Sequence, residues 1–155
     1  MKNLLLILAV AMSFCSIHAQ DFTALQAISM TAPGDFKSAE PKVLAATNYL
    51  FTNPADLDKD KRLAATQFIM RWMEGTPDYT FAIDADAMKL TEGSADLLGL
   101  YLAGMTKAVL EYNGEPLTDE EISKRAEALL VSYVADEKNN IKPNKTIKKL
   151  LKQKD

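Results

Sequence analysis

Apolar residues along this chain recur mostly at threes and fours, the spacing that gathers them on one face of an α-helix. Val43, Leu44, Thr47, Leu50 and Phe51 make the first clear stripe, with Ser38 as its predicted cap and Glu40 in its opening turn. Ahead of it, Ala24, Leu25 and Ile28 suffice for a short helix, and Pro33-Gly34 predicts a turn. Asn53-Pro54 interrupts the stripe, since proline is disfavoured inside a helix but suits the first position of the next. That next helix is predicted from Asp56 or Asp58 to Glu74. In its second half Phe68, Ile69, Met70, Trp72 and Met73 leave almost no polar side, which predicts a helix in the middle of the fold. Gly75, free to take a positive φ, and then Pro77 supply the stop.

Tyr79, Phe81 and Ile83 alternate with Thr80 and Ala82, a period of two that predicts an extended, half-buried connection. Asp84 to Glu92 fits a short helix before Gly93. Ser94 caps a long apolar helix running to about Tyr112, with Leu97, Leu98, Tyr101, Leu102, Met105 and Val109 in its stripe. Thr118 to Glu121 is a capping box, and Ile122, Ala126, Leu129, Leu130, Tyr133 and Val134 follow on one face until Asn139-Asn140. A last short helix from about Asn144 sets Ile147, Leu150 and Leu151 opposite lysines. The pattern predicts an all-α fold: a compact array of antiparallel helical hairpins, about five main helices with one short extended connecting segment.

The first 19 residues read differently. Lys2, the apolar run Leu4 to Met12 and small Ala19 have the layout of a secretory signal, and the run is too short to span a bilayer. Cleavage between Ala19 and Gln20 is expected. Phe14 before Cys15 fits a lipoprotein signal poorly, so the exported form reads as soluble, in the periplasm or outside the cell. Composition sharpens this: Cys15 and His18 are the single cysteine and the single histidine among 155 residues. A processed chain would lack disulfides, imidazole or thiolate nucleophiles, and the usual ligands of zinc, haem and iron–sulfur clusters. No cofactor or metal is therefore expected.

Charge divides what remains. Residues 20–136, read as one acidic helical domain, hold 10 basic and 19 acidic side chains, net −9. Residues 137–155, read as a basic helix or tail on the same domain, hold 7 lysines against Glu137 and Asp155, net +5. An acidic body argues against nucleic acid as a partner. The tail either docks on its own body or attracts an acidic partner; Lys145, Lys148, Lys149 and Lys152 share roughly one helical side, enough for weak membrane contact at most.

Other constellations are weaker. Lys42–Phe51 (KVLAATNYLF) and Lys61–Met70 (KRLAATQFIM) share five of ten residues, consistent with a duplicated unit or with two helices solving one packing problem. Asp56, Asp58 and Asp60 mimic a calcium loop, but Lys61 and Gln67 stand where its glycine and glutamate belong. Glu74, Asp78, Asp84 and Asp86 could supply the carboxylate pair of a hydrolase. Arg71, Trp72, Tyr79 and Phe81 are the side chains most typical of interfaces, with Trp72 placed for core packing.

The leader, the segment Arg71-Trp-Met-Glu-Gly-Thr-Pro-Asp-Tyr-Thr-Phe81 and the lysine-rich finish resemble a group of small exported helical proteins of Gram-negative bacteria. The resemblance carries no activity and no residue roles with it. Together these features predict an exported binding module for an envelope or extracellular protein or polymer, with Arg71, Tyr79, Phe81 and the four lysines as its partner-binding residues. The alternative is a carboxylate-dependent hydrolase of an envelope polymer.

Overall fold

The computed structural model describes residues 22–153; the leader, with Cys15, His18 and the Ala19–Gln20 junction, lies outside the described residues. Those residues form α1 (Pro33–Thr52), α2 (Lys59–Gly75), α3 (Ala85–Thr91), α4 (Ala95–Glu111), α5 (Asp119–Ala135) and α6 (Lys145–Leu151). Short 3-10 helices, Phe22–Ala27 and Glu137–Asn139, precede α1 and follow α5. There is no strand among the described residues, and none of their helices is long and apolar enough to cross a membrane.

Local chemistry sets most of the boundaries. Asp84 accepts from the amides of Asp86 and Ala87, Ser94 from Leu97, and Asn144 from Ile147, each filling the unsatisfied first turn of its helix. At α5 the expected box forms: Glu121 N–H donates to Thr118 Oγ1, and Glu121 Oε2 accepts from Thr118 N–H at 2.8 Å. The backbone N–H of Thr118 holds that carboxyl below the usual range. Gly93, at φ +74°, makes the tight link between α3 and α4.

Several expectations are corrected. Pro33-Gly34 is not a turn before α1 but its first two residues, where a proline's missing N–H costs nothing. Ser38 is therefore inside α1, and its Oγ donates back to Gly34 O. Asp35 does the capping instead, with Oδ2 accepting from the amides of Thr31 and Ala32. Pro54 does not begin α2; Asp58, with φ 46°, precedes it and accepts from Lys61 N–H. α5 stops at Ala135, short of Asn139-Asn140, because Asp136 turns and caps the following 3-10 helix. Gly75 does not take a positive φ.

α2 also cedes the central place to α4. Eleven residues of α4 are buried, including both glycines, Tyr101 and Met105, whereas Leu63 and Met70 of α2 are 57% and 38% exposed. Leu63 and Met70 lie two turns apart on one side of α2, and that side faces water.

α1 and α2 form an antiparallel hairpin, since Phe36 at one end of α1 meets Trp72 and Leu50 at the other meets Arg62. The repeated decapeptides fall on these two helices. Three buried positions coincide, Val43 with Arg62, Ala46 with Ala65 and Leu50 with Ile69, while Thr47, Ala64 and Phe68 are buried in one copy only. Two helices burying one side against a common core need that pattern. α4 and α5 form the second hairpin, packed so closely at Gly104 that a Cβ there would lie 3.0 Å from Ala126 Cα. Between hairpins the direction is kept: Gly99 faces Thr66, and Leu102 shares a groove with Met70, so α2 and α4 run parallel. The chain must then travel back along the bundle between them. A 17-residue helix such as α2 is about 25 Å long. Residues 76–84, extended and able to span roughly 30 Å, make this return together with α3.

Gly75 is required by packing. A Cβ on it would fall 2.3 Å from Cζ of buried Phe36, whereas one on Gly34 meets nothing within 4 Å. Gly75→Ala is expected to lower stability by about 1–3 kcal/mol through overpacking, while Gly34→Ala should leave it unchanged or raise it slightly. Paired thermal melts of the two variants check this.

Candidate functional site

The returning segment builds the most distinctive surface of the protein. Trp72 is fully buried on α2 and donates Nε1–H to Phe36 O at 3.0 Å. Tyr79 and Phe81 point inward onto its ring, with centroids 5.7 and 6.1 Å away. The period of two that brings these rings inward would also bring Ile83. There the chain has already turned to cap α3 with Asp84, and Ile83 is left 48% exposed.

Between this segment, α2 and α4 runs a groove of about 270 Å³ lined by Met70, Met73, Phe81, Ile83 and Leu102, with Glu74 at its edge. Leu98, one turn before Leu102, and Leu63, two turns before Met70, extend the apolar surface along the two helices. Methionine suits such a place because its unbranched thioether adapts to partners of different shape. Glu74, and Asp84 next to Ile83, are exposed and make the rim negative.

A second cavity, of about 310 Å³, lies on the other side of the segment among Asp78, Tyr79, Tyr112, Leu117 and Asp119. Burial pushes the Tyr79 phenol above its ordinary value. Tyr112 is held in place: the Arg125 guanidinium lies 4.8 Å from its ring, and Gly114 passes so close that a Cβ would come within 2.6 Å of it.

Tyr79 and Phe81 thus meet around Trp72, each bordering one of the two cavities. Arg71 does not join them. Its guanidinium donates to the carbonyls of Leu25 at 2.9 Å and of Gln26 and Ile28 at 3.1 Å, pinning the N-terminal 3-10 helix to α2. Lys145, Lys148, Lys149 and Lys152 are exposed on α6, which packs against α3 and α5 instead of the groove. Met70, Met73, Ile83 and Leu102, which sequence reasoning assigned to the core or the connection, line the groove. The Leu63–Met70 spacing, one residue over from the buried Phe68 and Ile69, was the signal available for them.

The four acids do not form one cleft. Glu74 edges the groove and Asp78 the other cavity; Asp84 caps α3, and Asp86 pairs with Lys89 at 2.8 Å. Asp56 accepts from Asn140, and no cluster of acids among the described residues could hold a metal ion. No protein-family model, curated protein or solved structure matches this chain.

Arg71→Ala is expected to free the segment before α1 without unfolding the bundle. Limited proteolysis should cut within residues 22–32 at least several-fold faster, while the main thermal transition is kept. Equal cleavage of variant and native protein would show that the three carbonyl contacts do not hold the segment.

Proposed function

We propose that this protein is an exported, non-catalytic binding module. Its groove takes an apolar segment with basic flanks from an envelope or extracellular protein. The observation that carries the reading is the groove in which exposed Met70 and Ile83 and half-buried Met73 and Phe81 lie over buried Leu102, beside the exposed carboxylate of Glu74. Apolar surface that could have been buried in the core is left outside, and the acidic body favours a partner of opposite charge. The segment that carries the resemblance to small exported proteins, Trp72 to Phe81, contributes Met73, Glu74 and Phe81 to this groove. The hydrolytic alternative has less support, because its four acids are exposed and engaged in different places.

A leucine–lysine peptide and its leucine–glutamate counterpart distinguish charge-matched binding from simple stickiness. The basic peptide is expected to shift the Met70 and Met73 methyl resonances, the acidic one to leave them in place. Ile83→Ser, at an exposed residue, should weaken the basic peptide roughly tenfold. Unshifted groove methyls with both peptides would refute the reading. For export, intact-mass analysis of protein from the producing cell is expected to find a chain beginning at Gln20; a retained leader would refute that part.

A further inference from the structure

α6 carries a surface that the groove does not use. Its apolar side is occupied: Ile147 is fully buried, and Leu150 and Leu151 are half-buried against the core. Asn144 fixes its start to α3, its amide donating to the carbonyls of Lys89 and Leu90 at 3.0 Å. The helix is therefore held rigidly, and what it shows to solvent is charge.

Lys142, Lys145, Lys148, Lys149 and Lys152 are exposed, and none has a carboxylate within ion-pair distance among the described residues. Four lysines elsewhere are ion-paired, Lys37, Lys89, Lys107 and Lys124, each with a carboxylate close by in sequence. In sequence the flanking acids are Glu137 and Asp155, the latter outside the described residues, and α3 brings up Glu92, whose carbonyl receives Asn144 at 3.5 Å. α6 follows the C-terminal end of α5 in the chain, whereas the acidic first turn, Asp119 to Glu121, stands at the opposite end of that 17-residue helix. Such a helix is about 25 Å long, several Debye lengths at physiological salt.

We propose that this lysine face docks the protein on an anionic phospholipid surface, by electrostatic attraction and without insertion. Seven helical residues cover only about 10 Å. A plane of phosphate headgroups can meet so small a patch at a tangent, whereas a long polyanion would run on to the acidic body and be repelled. With Ile147, Leu150 and Leu151 already packed, there is no free apolar side to enter the bilayer.

The test compares the full chain with a Lys145→Gln, Lys148→Gln, Lys149→Gln, Lys152→Gln variant carrying the same N-terminus. Vesicles of phosphatidylcholine with and without phosphatidylglycerol are used, at about 50 mM and about 0.5 M salt. The native chain should sediment with the anionic vesicles at low salt only. Each lysine near such a surface is worth roughly fivefold, so the variant should bind on the order of several hundredfold more weakly. Matching thermal melts confirm that the variant is folded. Native-like binding by the variant, no binding by the native chain at low salt, or binding that survives high salt would each overturn the proposal. So would an oligonucleotide held by these lysines as tightly as the vesicles are.

Discussion

One buried guanidinium fixes the geometry at the end of the first hairpin. Arg62 is only 7% exposed and has no carboxylate partner among the described residues; its Nη1 donates to the carbonyls of Leu50, Asn53 and Pro54 at 3.2, 3.2 and 3.3 Å. Burying a charge costs several kcal/mol unless polar groups replace the lost water. Here the replacement is the C-terminal end of α1, where unsatisfied carbonyls and the negative end of the helix dipole converge. The Tyr133 hydroxyl donates to the same Asn53 carbonyl at 2.6 Å, and Ala55 N–H donates to Asn139 O. The start of α2, the end of α1 and the end of α5 are thereby held at one point.

Everything that makes the groove follows from how the chain leaves that hairpin. Because α4 runs parallel to α2, the link between them must return the length of the bundle, and it does so extended over the buried Trp72. An extended strand without a neighbour leaves backbone groups and one side-chain row uncovered. Tyr79 and Phe81 find cover on Trp72, while Ile83 does not, and the uncovered end becomes the groove wall. The candidate binding surface is thus a by-product of topology: a crossover whose first part, before α3, is extended and too isolated to be a sheet.

Sequence reading recovered the helices whose limits are set by adjacent residues. Asp84, Ser94, Thr118 and Asn144 each stand next to the amides they satisfy, and spacing alone exposes them. It misread Ser38, because Asp35 competes for the same helix start through the Thr31 and Ala32 amides. The stop at Gly75 was recognised but for another reason; the contact with Phe36 joins residues 39 positions apart. Arg62 and Arg71 were invisible as clamps for the same cause: their acceptors are carbonyls, which every residue carries. The groove was legible in its residues but not in its existence. Met70 and Ile83 are apolar in any context, and only the third dimension shows that nothing covers them.

The charge on these surfaces is carried by carboxylates and lysines, and the reason is compositional. The only histidine and cysteine lie within the first 19 residues. In the described residues every resolved shift moves a group further from pH 7. Amide hydrogen bonds lower the carboxyls of Asp35 and Glu121, burial raises Tyr49, Tyr79, Tyr101 and Tyr133, and carboxylate partners raise Lys37, Lys89 and Lys124. Among the described residues no histidine or cysteine stands on the groove rim or on the lysine face. Both surfaces are exposed, where Coulomb attraction fades within a Debye length. Ionic strength is then the variable expected to weaken the proposed contacts of these surfaces with an oppositely charged partner, and apolar contact in the proposed groove site is the part that salt would leave intact.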